Sequence, residues 1–206
     1  MIVIVASRAA ASRSRKDNVW ASETIFDTPP KAEWQANGLR ADQWLVVDVG
    51  GAARAQPTGP GAQARQLARR DVVSAGARLV TGRDGWVKLA SGPYRMILGA
   101  GSAIALAWPA EGLSEIEQQR GTLLLDVRAD GERVAQVRTP HLTASAVASS
   151  FSVVVGDDSA STNVAWGRVA VAPAGSADAS VLPGGQAGTG ADGGAGSADR
   201  GAHAGG

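Results

Sequence analysis

Gly76-Ala-Arg-Leu-Val-Thr-Gly-Arg-Asp-Gly-Trp-Val-Lys-Leu-Ala90 reads as strand, turn, strand. Arg78 to Thr81 alternates polar and apolar, which puts Leu79 on one face of an extended segment. Gly82-Arg-Asp-Gly85 is a tight turn. Its Asp84-Gly85 pair signals a hairpin, because glycine takes φ > 0 without a Cβ clash. Trp86 to Ala90 alternates again, so Val87 and Leu89 share one face and Trp86, Lys88 and Ala90 the other. The expectation is a hairpin with Leu79, Val87 and Leu89 on its inner side. Lys88 then faces solvent and Trp86 lies on the outer side.

The same grammar runs from about residue 43 to 172. Gln43 to Val49 is a strand, Gly50-Gly51 a turn, and Ala52 to Gln56 a strand able to pair back on it. Pro57 to Gly61 is a loop, and Gln63 to Arg70 a short helix or basic loop. Further strands are expected at Tyr94 to Leu98, Ser102 to Ala107 (stopped by Trp108-Pro109) and Ser114 to Gln119. Others follow at Thr122 to Val127, Val134 to Arg138, Leu142 to Val147, Phe151 to Val155, Thr162 to Ala165 and Arg168 to Val171. Many short strands at roughly 8–12-residue spacing predict an all-β protein, a twisted two-sheet sandwich or roll. Long amphipathic helices are absent, which argues against a βαβ fold.

The flanks differ. Residues 1–42 show no sustained period of 3.6 or 2 around Trp20, Phe26, Pro29-Pro30 and Trp34, so an irregular arm is expected. Residues 173–206 are dominated by Gly, Ala, Ser and Asp. Such a tail has little apolar surface to offset its ordering entropy, and disorder is expected from residue 173. The predicted domain, residues 43–172, should then fold alone.

Composition narrows the function classes. The formal net charge is +1, so no whole-chain field draws the protein to nucleic acid or anionic lipid. There is no cysteine, which removes disulfides, thiol catalysis and Cys-ligated metals. The only histidines are His141 and His203, too few for a His-rich metal site. Met1 to Val5 is apolar but precedes the basic Ser12 to Lys16, the reverse of a secretory signal. No run reaches the ~18 apolar residues of a membrane span.

Catalytic constellations are hard to assemble. His141 follows Pro140 with no nucleophile-elbow sequence in the chain, and reads as a partly exposed loop histidine. Glu115 and Glu117 share a strand face near Glu111, whereas a glycosidase pair must face across a cleft, so a solvated edge is expected. Asp157-Asp158 follows Gly156 as a turn pair. Gly99-Ala-Gly101 precedes a strand, not the helix a phosphate-binding loop must open. Gly193 to Asp199 approaches a glycine-rich calcium repeat, with its Asp one place late and nothing repeated. No catalytic residue, cofactor or metal ligand is assigned. Six tryptophans carry most of the aromatic content. Trp86, Trp108 and Trp166 are candidates for an interaction surface, as platforms for sugars or peptides, although tryptophans more often fill cores and cover sheet edges.

Taken together, several short motifs resemble the FecR domain. Arg78 to Leu89 resembles its opening, with Thr81-Gly82 and Gly85-Trp86 at the turn. Ile97-Leu-Gly-Ala-Gly-Ser102 resembles a later turn, with Ala100-Gly101 in place of Pro-Asn. Gln119-Arg-Gly-Thr-Leu-Leu-Leu125, with Gly121, resembles a following strand. Val137-Arg-Thr-Pro140 resembles its V-x-T-P element, with Thr139 and Pro140. Asn163 to Val171 resembles the closing segment, with Trp166-Gly167 where Glu-Gly is usual. Ser149-Ser-Phe-Ser-Val153 departs from the usual G-T-x-F-x-V but keeps Phe151. Gln43 to Ala52 resembles the lead-in of exported members.

The resemblance implies a non-enzymatic, extracytoplasmic β module for sensing or protein interaction. It implies a periplasmic or cell-envelope location and another envelope protein as partner. The anti-sigma segment and membrane helix of the family's signalling regulators are not recognisable before residue 43, so a bare domain is expected. Carbohydrate binding through exposed tryptophans, and more remotely a carboxylate-dependent hydrolase, are the alternatives.

Overall fold

The structure is a computed structural model that describes residues 39–40, 42–59, 61–110, 113–128 and 134–191, with 108–110 and 191 described by their backbone alone. Among the described residues there are strands and turns but no helix. In chain order the strands are β1 (Gln43–Gly50), β2 (Ala53–Gln56), β3 (Arg65–Gln66), β4 (Val72–Ser74), β5 (Arg78–Thr81), β6 (Trp86–Ser91) and β7 (Tyr94–Leu98). They continue with β8 (Ala103–Ala110), β9 (Leu113–Val127), β10 (Val134–Arg138), β11 (Leu142–Val155), β12 (Ser159–Pro173), β13 (Ser180–Pro183) and β14 (Ala187–Ala191).

All of them belong to one hydrogen-bonded sheet that doubles over itself. Three long strands bend and serve both layers, β9 at Gly121 and β11 and β12 around Ser149 and Gly167, at opposite ends of the β9–β11 ladder. The first half of β9 pairs with β8 and, in parallel, with β10; its second half pairs with β7 and β11. The first half of β11 pairs with β10, and β12 follows β11 along its whole length. One layer therefore runs β3-β2-β5-β8-β9-β10-β11-β12-β13, and the other β4-β1-β6-β7-β9-β11-β12-β14. The layers meet face to face. The Tyr94 hydroxyl on β7 donates to the Val134 carbonyl on β10 at 3.4 Å, and Leu79, Leu89, Met96, Ile104, Ile116, Phe151 and Val164 join one core. This is the all-β, two-layer architecture the strand pattern predicts.

At each bend the backbone must turn sharply, and glycine supplies the room. Gly121 in β9 has φ +85°, and a Cβ there would lie 2.5 Å from Ser102 Cα. A buried amide holds this bend: Gln118 Nε2 donates to the carbonyls of Gly121 (2.8 Å) and Val153 (3.2 Å). At the other end, Gly167 in β12 has φ +84°, and its Cβ would lie 2.7 Å from Ser149 Cα. β11 bends beside it through register shifts around Ser149 and Ser150.

Three expectations are corrected. First, β5 and β6 do not pair. β5 bonds to β2 and β8, while β6 bonds to β1 and β7, so the Gly82–Gly85 turn carries the chain from one layer to the other. Leu79 faces Val87 and Leu89 across the core instead of lying beside them. Gly85 has no positive φ; it is needed because a Cβ would fall on the Ala52 carbonyl, which accepts the Gly82 N–H at 2.7 Å. Likewise β2 does not pair back on β1. Second, residues 114–127, 142–155 and 162–171 each form part of one long strand, because a glycine or serine pair inside a bent strand looks like a break in sequence. Likewise β8 runs past Trp108 to Ala110, and residues 63–70 contribute β3 rather than a helix.

Third, order continues past residue 173. β13 and β14 both add to β12, in antiparallel registers such as Val169↔Leu182 and Thr162↔Gly188. Small residues suit this position, since an edge strand is held by its own N–H and C=O groups more than by side-chain burial. Leu182 adds a partly buried apolar contact with the core. The tail beyond 191 and the arm before 39, with Trp20 and Trp34, lie outside the described residues.

In β6, Val87 and Leu89 are in the core as expected, whereas Lys88, expected in solvent, is half-buried on the other face and Ala90 beside it is buried. That outer face has an apolar patch of its own, in which Leu39 and Val47 pack against Leu45 and Ala90.

Two expected outcomes follow. Gly121→Ala and Gly167→Ala should each destabilise more than Gly175→Ala. All three positions have φ > 0, but nothing lies within 4 Å of a Cβ at Gly175. Left-handed strain alone is worth about 1–2 kcal/mol, and the corner collisions add about 1–3. Urea melts of the three variants check this, and equal losses would refute the corner role. A chain ending at residue 173 should be less stable than one ending at 191 by at least about 1.5 kcal/mol, the low end for burying one leucine. The same melts decide it.

Candidate interaction surface

The residues singled out by the motif pattern are spread over the fold. Thr81 is buried at the end of β5; its hydroxyl donates to the Gly99 carbonyl at 2.6 Å and accepts from the Ser102 N–H at 2.8 Å. It ties the interlayer turn, with Gly82 and Gly85, to the turn before β8. Ser102 then reaches Gly121, since its hydroxyl accepts from the Thr122 N–H at 2.9 Å. At the far end, Thr139 closes the β10–β11 turn. Its hydroxyl accepts from the N–H groups of His141 (3.1 Å) and Leu142 (2.8 Å), and Pro140 is exposed beside it. Phe151 is in the core and Gly167 at the bend of β12. These positions shape turns and corners, and of them Gly167 alone lines the groove described below.

The tryptophans do not converge. Trp86 lies over Gly50, its cross-strand partner, so closely that a Cβ on Gly50 would sit 2.5 Å from the indole Nε1. Lys88 Nζ stands 5.4 Å from the Trp86 ring centroid, a cation–π distance. Trp166 is exposed on β12, and β7, β9 and β11 intervene between it and β6. Four strand spacings amount to about 19 Å. The Trp108 side chain lies outside the described residues. Trp44, not singled out in the sequence, fills the core beside Tyr94, with ring centroids 6.1 Å apart.

The polar candidates are also accounted for. Glu115 is nearly buried in the middle of a layer, not at a solvated edge, and pairs with Arg138 at 3.4 Å. Its neighbours across β8 and β10 are Ala107 and Gln136, so no second carboxylate faces it. Glu111 lies outside the described residues. His141 is buried, contrary to the expected partial exposure. The chain after β12 packs there, with the Ala174 N–H donating to the His141 carbonyl at 3.0 Å. Asp157 and Asp158 are exposed in the β11–β12 turn. Among the described residues no three His, Cys, Asp or Glu side chains converge as a metal site. The Gly193–Asp199 stretch lies outside the described residues.

One charged group is embedded. Arg95 on β7 sits opposite Asp126 on β9 and donates from Nη1 to the carbonyls of Gly92 (2.7 Å) and Tyr94 (2.9 Å). Asp126 in turn pairs with Arg128 at 2.9 Å. Burial lowers the Arg95 pKa to about 10, Arg128 pushes the same way and Asp126 opposes. The group stays cationic at neutral pH.

A shallow groove of about 520 Å³ lies on the outer side of β10, β11, β12 and β13. Val134, Val147, Ala170 and Val181 line it, and Arg168 stands at its side. Val147 is 47% and Val181 60% exposed, unusual for valines of a packed sheet. Sequence reasoning missed it because β13, which forms one wall, looks like a disordered tail.

Residues 77–170 match the family model described as FecR protein. The resemblance read from the motifs is borne out from β5 to nearly the end of β12. The match leaves out β1–β4, β13 and β14, which complete the two layers. Two crystal structures of a "putative anti-sigma factor" from Parabacteroides distasonis ATCC 8503 are similar, each with 16% identity and a TM-score of 0.46. The alignment covers 55% of this chain and 59% of that one. None of the curated proteins matches the sequence. Among the described residues no helix is long and apolar enough to cross a membrane.

Trp86→Ala should destabilise by about 1–3 kcal/mol, as expected when a large side chain is stripped from a sheet face it covers. Trp166→Ala should stay within about 0.5 kcal/mol. Thermal melts compare them. A larger loss at Trp166 would reverse the structural assignment of the two rings.

Proposed function

We propose that this FecR-domain chain is a non-catalytic sensing or protein-interaction module of the cell envelope. Its docking site is the groove beside β13, and its partner is an extended segment of another envelope protein. The observation that carries the reading is the groove itself. Exposed Val181 lies on β13, which pairs on one side with β12 and, among the described residues, has no strand on its other side; exposed Val147 lies two strands in, on β11. An incoming strand can bond to such an edge while its alternate side chains fill the apolar groove. The FecR family match supports an envelope signalling role. The pairing of Glu115 with Arg138 speaks against a carboxylate hydrolase, and the separation of Trp86 from Trp166 against a sugar platform.

The test is retention of proteins from envelope extract on the immobilised chain, beside Val147→Asp and Val181→Asp. These changes lie on exposed positions and should leave the melting temperature within about 2 °C, as surface changes usually do. A partner held by the parent chain and lost by both variants is expected. Equal retention by the variants, or binding to a glycan array with no protein retained, would overturn the proposal.

A further inference from the structure

The groove beside β13 carries a charge at a defined place. The registers lay Gln136, Ser145, Ala170 and Val181 side by side across β10, β11, β12 and β13. In the neighbouring row of the same face Arg168 lies beside Pro183. Among the described residues lining the groove, Arg168 alone is charged. It is exposed and has no carboxylate partner among the described residues, whereas Arg138 on the same outer face is held by Glu115.

The open edge of β13 fixes where an incoming strand can bond. In an antiparallel ladder the main-chain groups of successive residues point alternately to one side and the other. The Gly184 N–H donates to the Gly167 carbonyl at 3.0 Å, so the pairs that bond across to β12 are Leu182 with Val169 and Ser180 with Val171. The N–H and C=O of Val181 then face the open side, as does the C=O of Pro183. Proline has no N–H to give. Val181 is therefore the residue of β13 at which an added strand can exchange both bonds, and Pro183 ends the ladder.

We propose that the segment docking there is an extended chain carrying an aliphatic residue and, two places along, an aspartate or glutamate. This rests on the reading of the groove as a docking site and adds the chemistry of its partner. The residue bonded to Val181 projects its side chain to the same face as Val181, where an aliphatic group makes the cross-strand pair and covers the groove. The residue two places away returns to that face beside Pro183. It lies two strand spacings, about 10 Å, from the β12 backbone at Arg168, a gap that an arginine and an acidic side chain bridge together. A carboxylate there gives the guanidinium a charge-assisted partner. Lysine or arginine in that place would meet Arg168 as a like charge, so the same residue selects against basic segments.

The probe is a library of short random peptides, selected on the immobilised full chain and on its Arg168→Glu and Val147→Asp variants. The parent chain should retain peptides with Asp or Glu two places from Val, Ile or Leu. Arg168→Glu should retain peptides with Lys or Arg at that same place, and Val147→Asp neither set. In one retained peptide, exchanging the acid for its amide should weaken binding to the parent about threefold, as for an exposed ion pair, and leave binding to Arg168→Gln unchanged. Peptides that depend on Val147 but carry no acid at that place, or the same acid on Arg168→Glu, would overturn this inference and leave the groove as a docking site. An amide exchange that weakens binding to Arg168→Gln as much as to the parent would do the same. Retention of no peptide that depends on Val147 would overturn both.

Discussion

The fold depends on three long strands that bend. β9, β11 and β12 each serve both layers, and at its bend each must change direction without breaking its ladder. A side chain at Gly121 or Gly167 would collide with the backbone of the neighbouring turn or strand. The bends lie at two ends of the β9–β11 ladder, Gly121 opposite Val155 and Gly167 opposite Ser149, and through them each half-strand finds a different set of partners. The parallel pairing of β9 with β10 follows from the same geometry. Once β9 doubles back, its end lies over its beginning, and a short connection brings β10 alongside the first half. The Tyr94 hydroxyl on the Val134 carbonyl marks where the two layers meet.

Around the Gly121 bend, hydrogen bonds from polar side chains substitute for regular ladder pairing. Thr81, Ser102 and Gln118 occupy places where the sheet turns and main-chain groups would otherwise lose partners. An unsatisfied buried carbonyl or N–H costs about 1–3 kcal/mol, comparable to a good core contact. The motif residues that carry the FecR likeness are therefore mostly structural. They specify where the chain changes layer, while the proposed docking groove is lined mainly by other residues, among them Val147 and Val181.

The edges follow a different rule. β13 and β14 contain few side chains that a composition-based reading would credit with folding, yet each adds a row of main-chain bonds to β12. Their small residues let them pack closely where a bulky strand would not fit. This explains why disorder was expected after residue 173, why His141 was expected to be partly exposed, and why the groove was invisible: all three depend on a strand whose stability comes from its neighbour.

Alternation at Leu79, Val87, Leu89 and Phe151 was enough to determine an all-β protein and its inner and outer faces, because burial on a pleated strand imposes period two on the sequence itself; the FecR likeness lay in the order of short motifs such as Val137-Arg-Thr-Pro140. Pairing was not determined. Asp84-Gly85 marks a turn equally well whether the strands on either side join each other or separate into two layers, and Arg120-Gly121 marks a bend or an end with the same letters. Those choices rest on what lies opposite: the Ala52 carbonyl at Gly85, Ser102 at Gly121, Ser149 at Gly167. Such contacts join residues tens of positions apart, and only the tertiary structure decides them, because steric exclusion acts between neighbours in space.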